Sequence, residues 1–251
     1  FAEVEAGNEI SVTFTYSKEN ALVYGPTSLN VHAGQAAEYG IGTASSSPTV
    51  LDAVVAAHKA KYGDAFTAES AENYVNNTLS KLFQDAGYAG HILNGRYSSD
   101  YASQAELKNG DVVDTFLYHS AWNDNYVAFY ENENIVREIQ TTTSDMIELT
   151  VKSFNIMNAY SGETWEIRPA ISLGTTDGNG NFTSKGIATD ETGKATLAFD
   201  TEGTYILTAN GGNTSIVPPW CKITVMKGMT EEEQRQCVAD DKAALNATYT
   251  D

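Results

Sequence analysis

The sequence predicts two domains of different class. An α+β first domain, a small antiparallel sheet with one or two helices, is expected over residues 1–134. An all-β sandwich with a C-terminal helix is expected over residues 135–251. Three observations carry this. The length of 251 residues exceeds the roughly 100–150 residues of an ordinary domain. Helical and strand periodicities alternate in the first half. In the second half, short strand patterns recur at a spacing of about ten residues, separated by Gly/Asn/Asp turns.

Residues 9–16 alternate Ile10, Val12, Phe14 and Tyr16 with polar residues, the period of a strand with one buried face. Leu29 and Val31 repeat it over residues 28–33, and Asn20 and Gly25-Pro26 read as the reversals between. Ser47 is placed to cap a helix with Pro48 at its first position, Val50, Leu51, Val54, Val55 and His58 on one face, and Gly63 at its end. His58 has no second ligand at helical spacing and reads as a half-buried surface histidine. Residues 67–87 fit a helix through Val75, Leu79, Leu82 and Phe83, and a strand through the polar residues between them. Asn94-Gly95 sits between extended runs as a hairpin turn, and residues 107–118 read as a turn feeding a strand.

Beyond residues 126–130, strands are expected over 146–154, 165–173, 185–188, 195–199, 205–209 and 222–226. Turn clusters at 177–181, 190–193 and 210–213 punctuate them, the spacing of an immunoglobulin-like sandwich. From Thr230, with Glu233 three positions on, a capping box opens a last helix. Its apolar face of Cys237, Val238, Ala244 and Leu245 is thin, so the helix is expected to lean on the second domain or on a partner. Cys221 and Cys237, the two cysteines of the chain, are expected to form a disulfide in an exported protein.

The ordered segments Thr49-Val50-Leu51-Asp52-Ala53-Val54, Gly90-His91-Ile92-Leu93-Asn94-Gly95-Arg96 and Leu107-Lys108-Asn109-Gly110-Asp111 resemble the transcobalamin C-terminal-like domain. Residues 189–199 and 203–209 look like a bacterial immunoglobulin-like module. The first resemblance spans roughly residues 8–130 and implies a strand over residues 78–83, an exported bacterial protein, and a second domain of the kind just described. In transcobalamin the corresponding domain helps to enclose a corrinoid together with a separate helical barrel. This chain shows no such helical region, which argues against corrinoid binding.

Composition narrows the function. With 15 Lys plus Arg against 33 Asp plus Glu, the formal net charge is −18, which repels phosphate backbones and anionic lipid. Nucleic acid is not an expected partner. The longest apolar run, residues 53–57, is far short of the roughly 20 residues of a spanning helix. No nucleophile elbow, zinc-binding helix motif, phosphate loop or Cys-x-x-Cys cluster occurs, and His32, His58, His91 and His119 are dispersed. Gly40-Ile41-Gly42 is a turn. Asp177-Gly178-Asn179-Gly180-Asn181 begins like a calcium loop, but Ala188 stands where a bidentate Glu belongs. No catalytic residue, metal or cofactor is expected.

Tyr97, Tyr101 and Trp122 are the candidate ligand-binding patch, because Tyr and Trp on loops supply rigid amphipathic contact area. The expected protein is a non-enzymatic, extracytoplasmic (secreted or cell-surface) binding or adhesion-type protein. Its partner would be an unidentified protein, glycan or small molecule, with a corrinoid-like ligand as the alternative.

Overall fold

The structure, a computed structural model, describes residues 9–67, 81–119 and 124–249, and the backbone alone at 74–75 and 78–79. It is mostly β, made of sandwich-like sheets with a few helices.

Strand β1 (Ile10–Lys18) follows its sequence alternation, with Val12, Phe14 and Tyr16 buried on one face. Thr15 and Ser17 are buried as well, so the opposite face is also covered. The turn to β2 (Ala21–Val31) runs through Glu19 and Asn20, both at positive φ. Gly25-Pro26 does not reverse the chain as expected. It lies inside β2, where the pairing with β1 shifts register twice.

A short helix α1 (Gln35–Glu38) precedes α2 (Val50–Tyr62). Thr49, not Ser47, is the cap: its hydroxyl accepts the Asp52 N–H while the Asp52 carboxylate accepts the Thr49 N–H at 2.9 Å. Asp52 also accepts the Ala36 N–H at 2.8 Å, tying α1 to α2. Residues 50–57 are therefore buried all round rather than on one stripe. Gly63 ends the helix at φ 59°, as its freedom from a Cβ allows.

Two ribbons follow, β3 (Tyr74–Val75) with β4 (Thr78–Leu79) and β5 (Lys81–Leu82) with β6 (Asp85–Ala86). Next come β7 (Ala89–Leu93), β8 (Arg96–Tyr97) and β9 (Val112–Leu117). Asn94 and Gly95, both at positive φ, make the β7–β8 turn. The first sheet has the order β2-β1-β9-β7-β8. One face carries Phe14, Leu29 and Val113 in a core with Val54 of α2 and Leu82 of β5.

The other face, through Ile92 and Phe116, packs on Tyr126, Phe154 and Val217. These come from β10 (Asn125–Glu131), β13 (Ile147–Asn155) and β19 (Ile216–Val217). β10 also pairs with β11 (Asn134–Ile135) and, antiparallel, with β13. Sheet pairing thus crosses residue 135, where patterning had placed the domain boundary, and the run 126–130 joins the later strands.

The expected strand over 165–173 is two strands, β14 (Glu166–Ile167) and β15 (Ser172–Thr176), in different sheets. Pro169 offers no N–H to continue a ladder, and Ala170 follows at φ 56°. Strand β12 (Glu138–Thr142) joins β20 (Trp220–Met226), β18 (Gly203–Asn210), β15 and β16 (Phe182–Ala188) in order. This sheet packs on β10, β13 and β17 (Lys194–Leu197) around Phe129, Val151, Leu173, Leu207 and Ile223.

Helix α3 (Glu231–Thr248) carries the capping box expected between Thr230 and Glu233, yet buries none of its residues. It does not lean on the sandwich. The disulfide is not formed either: Cys221 is a buried free thiol in β20 and Cys237 an exposed one on α3. The physical reason is shared, since a helix with no buried residue keeps Cys237 at the surface, away from a sulfur inside the core. Among the described residues, no helix is long and apolar enough to cross a membrane.

Candidate ligand-binding site

Two buried polar centres lie in the first sheet, and their chemistry differs. Antiparallel pairing of β7 and β9 sets Ile92 opposite Asp114 and His91 opposite Thr115. The two-residue period sends each pair to opposite faces.

Asp114 is 2% exposed and is fully engaged. It accepts hydrogen bonds from the Thr15 hydroxyl at 2.6 Å, the Trp220 indole N–H at 2.8 Å, the Tyr126 hydroxyl at 2.6 Å and the Arg137 guanidinium at 3.1 Å. Arg137 also donates to the Tyr126 oxygen at 2.6 Å and lies over the Trp220 ring. Burial pushes the Tyr126 phenol well above its ordinary range, so it stays a donor. The carboxylate thus joins β1 and β9 to β10 and β20, while Arg137 Nη1 is buried beside it without a hydrogen-bond partner among the described residues.

His91 belongs to a cavity of about 170 Å³. Val50 and Val54 of α2 and Leu82 form an apolar wall, Ala89, His91 and Thr115 supply the sheet side, and Tyr97, Tyr101 and Tyr118 supply rings. Ser98 and Asp100 complete the lining and also line a shallow groove with Leu93, Arg96 and Ser99. The Nε2 of His91 is buried with no hydrogen-bond partner among the described residues. Burial pushes the imidazole down to about 4, against the opposing pull of the Asp100 carboxylate. It is therefore neutral at pH 7, and one buried polar atom remains for something else to satisfy.

The cavity is held by secondary contacts. Tyr97 donates its backbone N–H to Glu163 at 2.6 Å and Arg96 donates to the same carboxylate at 2.9 Å, fixing the β8 edge. At the far end of α2, His58 takes a structural part. Its Nδ1 donates to the Val54 carbonyl at 2.7 Å, its Nε2 accepts the Phe83 N–H at 2.9 Å, and its ring stacks on Phe83.

Of the sequence-predicted patch, Tyr97 is half-buried and Tyr101 exposed, and both line this cavity. Trp122 lies outside the described residues. Sequence reading passed over His91. The available signal was a histidine flanked at i±2 by Ala89 and Leu93, on the face turned to α2. It also passed over Asp114, a lone carboxylate inside the apolar run 112–117.

No group of three or more His, Cys, Asp or Glu side chains among the described residues is arranged to hold a metal. The Asp177 carboxylate is consumed locally, accepting from the Asn179 N–H at 2.8 Å and the Asn181 side-chain amide at 2.6 Å. Those bonds hold it below the usual carboxylate range. Its loop abuts β2 instead, where Gly180 N–H donates to the Leu22 carbonyl at 2.9 Å.

No family model matches the chain, and no curated protein matches it. Among solved structures, the Sidekick-1 immunoglobulin domains 1–4 align over 88% of this chain and 51% of that one, at 8% identity and a TM-score of 0.22. The chain thus spans about half the length of that neighbour. A TM-score this low transfers nothing, and the architecture rests on the strand pairing given above.

Proposed function

We propose that the protein is a non-enzymatic binding protein of an extracytoplasmic setting, and that the His91 cavity is its ligand site. The supporting observation is a cavity of about 170 Å³ with an apolar wall of Val50, Val54 and Leu82, rimmed by Tyr97, Tyr101 and Tyr118 and by the polar side chains of His91, Ser98 and Asp100. Tyrosine rings and a few polar groups around an apolar wall are the usual make-up of a small-molecule site.

In this reading the sheet β2-β1-β9-β7-β8 with α2 is the receptor part, of the transcobalamin C-terminal-like kind. The strands from β10 onward are an immunoglobulin-like sandwich that carries it. The pairing of β10 with β13 supports drawing the division between the two parts after β9 rather than at residue 135. The corrinoid-like alternative is disfavoured by size, because about 170 Å³ falls below the roughly 300–1,000 Å³ of ordinary small-molecule sites.

The test is a screen of ring-sized fragments by protein-observed NMR. Hits should shift the amides of His91, Ser98 and Ala102. A screen whose hits all map elsewhere, or that gives none, overturns the assignment of the site.

A further inference from the structure

We infer that the four methionines of the chain form an oxidant-accepting surface, in which each thioether takes up one oxygen atom from hydrogen peroxide or hypochlorous acid and leaves the fold intact. This surface is separate from the ligand site and uses none of its residues.

Placement comes first. Methionine is among the residue types most often buried, because its flexible thioether fills gaps in a core. Here Met146, Met157, Met226 and Met229 are all exposed, by 48–66%, and they are every methionine in the sequence. The cores are therefore built without a thioether. Three of the four gather at one end of the sandwich. Met226 closes β20, and its carbonyl accepts the Thr143 N–H at 3.0 Å. The Met229 carbonyl accepts the Ser144 hydroxyl at 3.5 Å, and Met146 follows two residues later at the start of β13. Met157 lies past the other end of β13.

Chemistry comes second. The sulfur lone pair attacks one oxygen of the peroxide, the O–O bond breaks, and the departing hydroxide takes the proton left on the sulfur-bound oxygen. The thioether is oxidised by two electrons to a sulfoxide and the peroxide is reduced to water. With hypochlorous acid the O–Cl bond breaks instead, and chloride and the proton leave. A sulfoxide is polar, which disrupts a core but is well solvated at a surface. Cys221 does not compete, because burial keeps it as the unreactive thiol, whereas Cys237 shares the surface with the methionines. The net charge of −18 repels anionic oxidants and leaves the neutral ones named above. Two thiols of a sulfoxide reductase return the sulfoxide to the thioether, giving a disulfide and water, so each residue can react again.

The experiment treats the folded full chain, carrying Cys237→Ser, with hydrogen peroxide and follows intact mass, peptide maps and urea unfolding. The mass should rise by four oxygen atoms, one for each methionine, with every site reacting within about tenfold of the rate of free N-acetylmethionine amide. The urea midpoint of the oxidised chain should move by less than about 0.3 M. The two epimer-specific sulfoxide reductases with dithiothreitol should restore the starting mass. Leu149→Met, a volume-conserving change at a core position 1% exposed, supplies a fifth sulfur that should stay reduced until urea unfolds the chain. A native site slower than that limit, a larger fall in the midpoint, or sulfoxides that the reductases leave in place overturns the inference. Oxidation of the fifth sulfur in the folded chain overturns it as well, because reactivity would then report unfolding and not exposure.

Discussion

Asp114 and His91 sit on neighbouring strands of one sheet, the first buried and the second half-buried with its Nε2 covered, yet only the carboxylate is paired. Asp114 faces β10 and β20 and has four donors. His91 lines the cavity beside α2 and lacks a partner for Nε2 among the described residues. Burial alone therefore does not tell how a polar group is used: the Asp114 carboxylate has its donors, whereas His91 Nε2, like Arg137 Nη1 and Ser17 Oγ, is buried without a partner among the described residues.

The sharpest way to break the comparison is to remove the satisfied centre. Asp114→Ala leaves the Arg137 guanidinium and the Trp220 N–H without their acceptor, and should cost about 3–5 kcal/mol of unfolding free energy by denaturant titration. Asp114→Leu combined with Arg137→Met removes both charges and should recover much of that loss. A loss below about 1 kcal/mol for Asp114→Ala would show that water replaces the carboxylate, and the cluster would no longer count as the joint between the two halves.

Acid should expose the other centre. The folded-state value of His91, about 4, lies below the roughly 6.5 of an unfolded histidine, so between them the unfolded chain binds the extra proton. The stability associated with neutral His91 is complete above pH 6.5 and falls as the pH drops towards 4. The full effect is up to about 3 kcal/mol at 1.36 kcal/mol per unit. Carboxylates held low in the fold, such as Asp177 and Glu233, also cost stability in acid. The readout is therefore the difference between wild type and His91→Leu, which should grow over this window; parallel curves would remove the buried histidine from the account. At pH 7 the same substitution should change stability by less than about 1 kcal/mol and can raise it, since it removes an unpaired polar atom.

Much of the fold around this contrast was legible in the sequence, and the illegible part has physical causes. Strands β1, β7, β9 and β13, the Asn94-Gly95 turn and both capped helices follow from period and turn chemistry. Tyr97 and Tyr101 were found as loop aromatics, and the structure sets them in the lining of one cavity. His91 was missed because a single polar residue on an inward face looks like its paired neighbours until partners are counted in three dimensions. The cap moved from Ser47 to Thr49 because Asp52 serves both Thr49 and Ala36, a tertiary contact that no local pattern contains. The break at Pro169 was readable locally and was passed over in favour of a longer apolar run.

The smallest expected effect concerns α3 and the two thiols, the region where the sequence-based expectation and the structure part most clearly. Cys221 is buried in β20, and burial pushes its thiol up to about 12, so it presents almost no thiolate at pH 7. Cys237 stands exposed on a helix with no buried residue. The helix is held by its capping box and by surface pairs such as Arg235 with Glu231 at 3.0 Å, each worth only a few tenths of a kcal/mol. A maleimide reagent should therefore modify one thiol in the folded chain and the second only in denaturant, with no mass change on reduction. Removing residues 231–251 should shift unfolding of the remainder by less than about 0.5 kcal/mol, as expected for a segment away from the core. A mass increase of two hydrogens on reduction, or a loss of several kcal/mol on truncation, would mean that α3 docks on the sandwich through Cys221 and Cys237 after all.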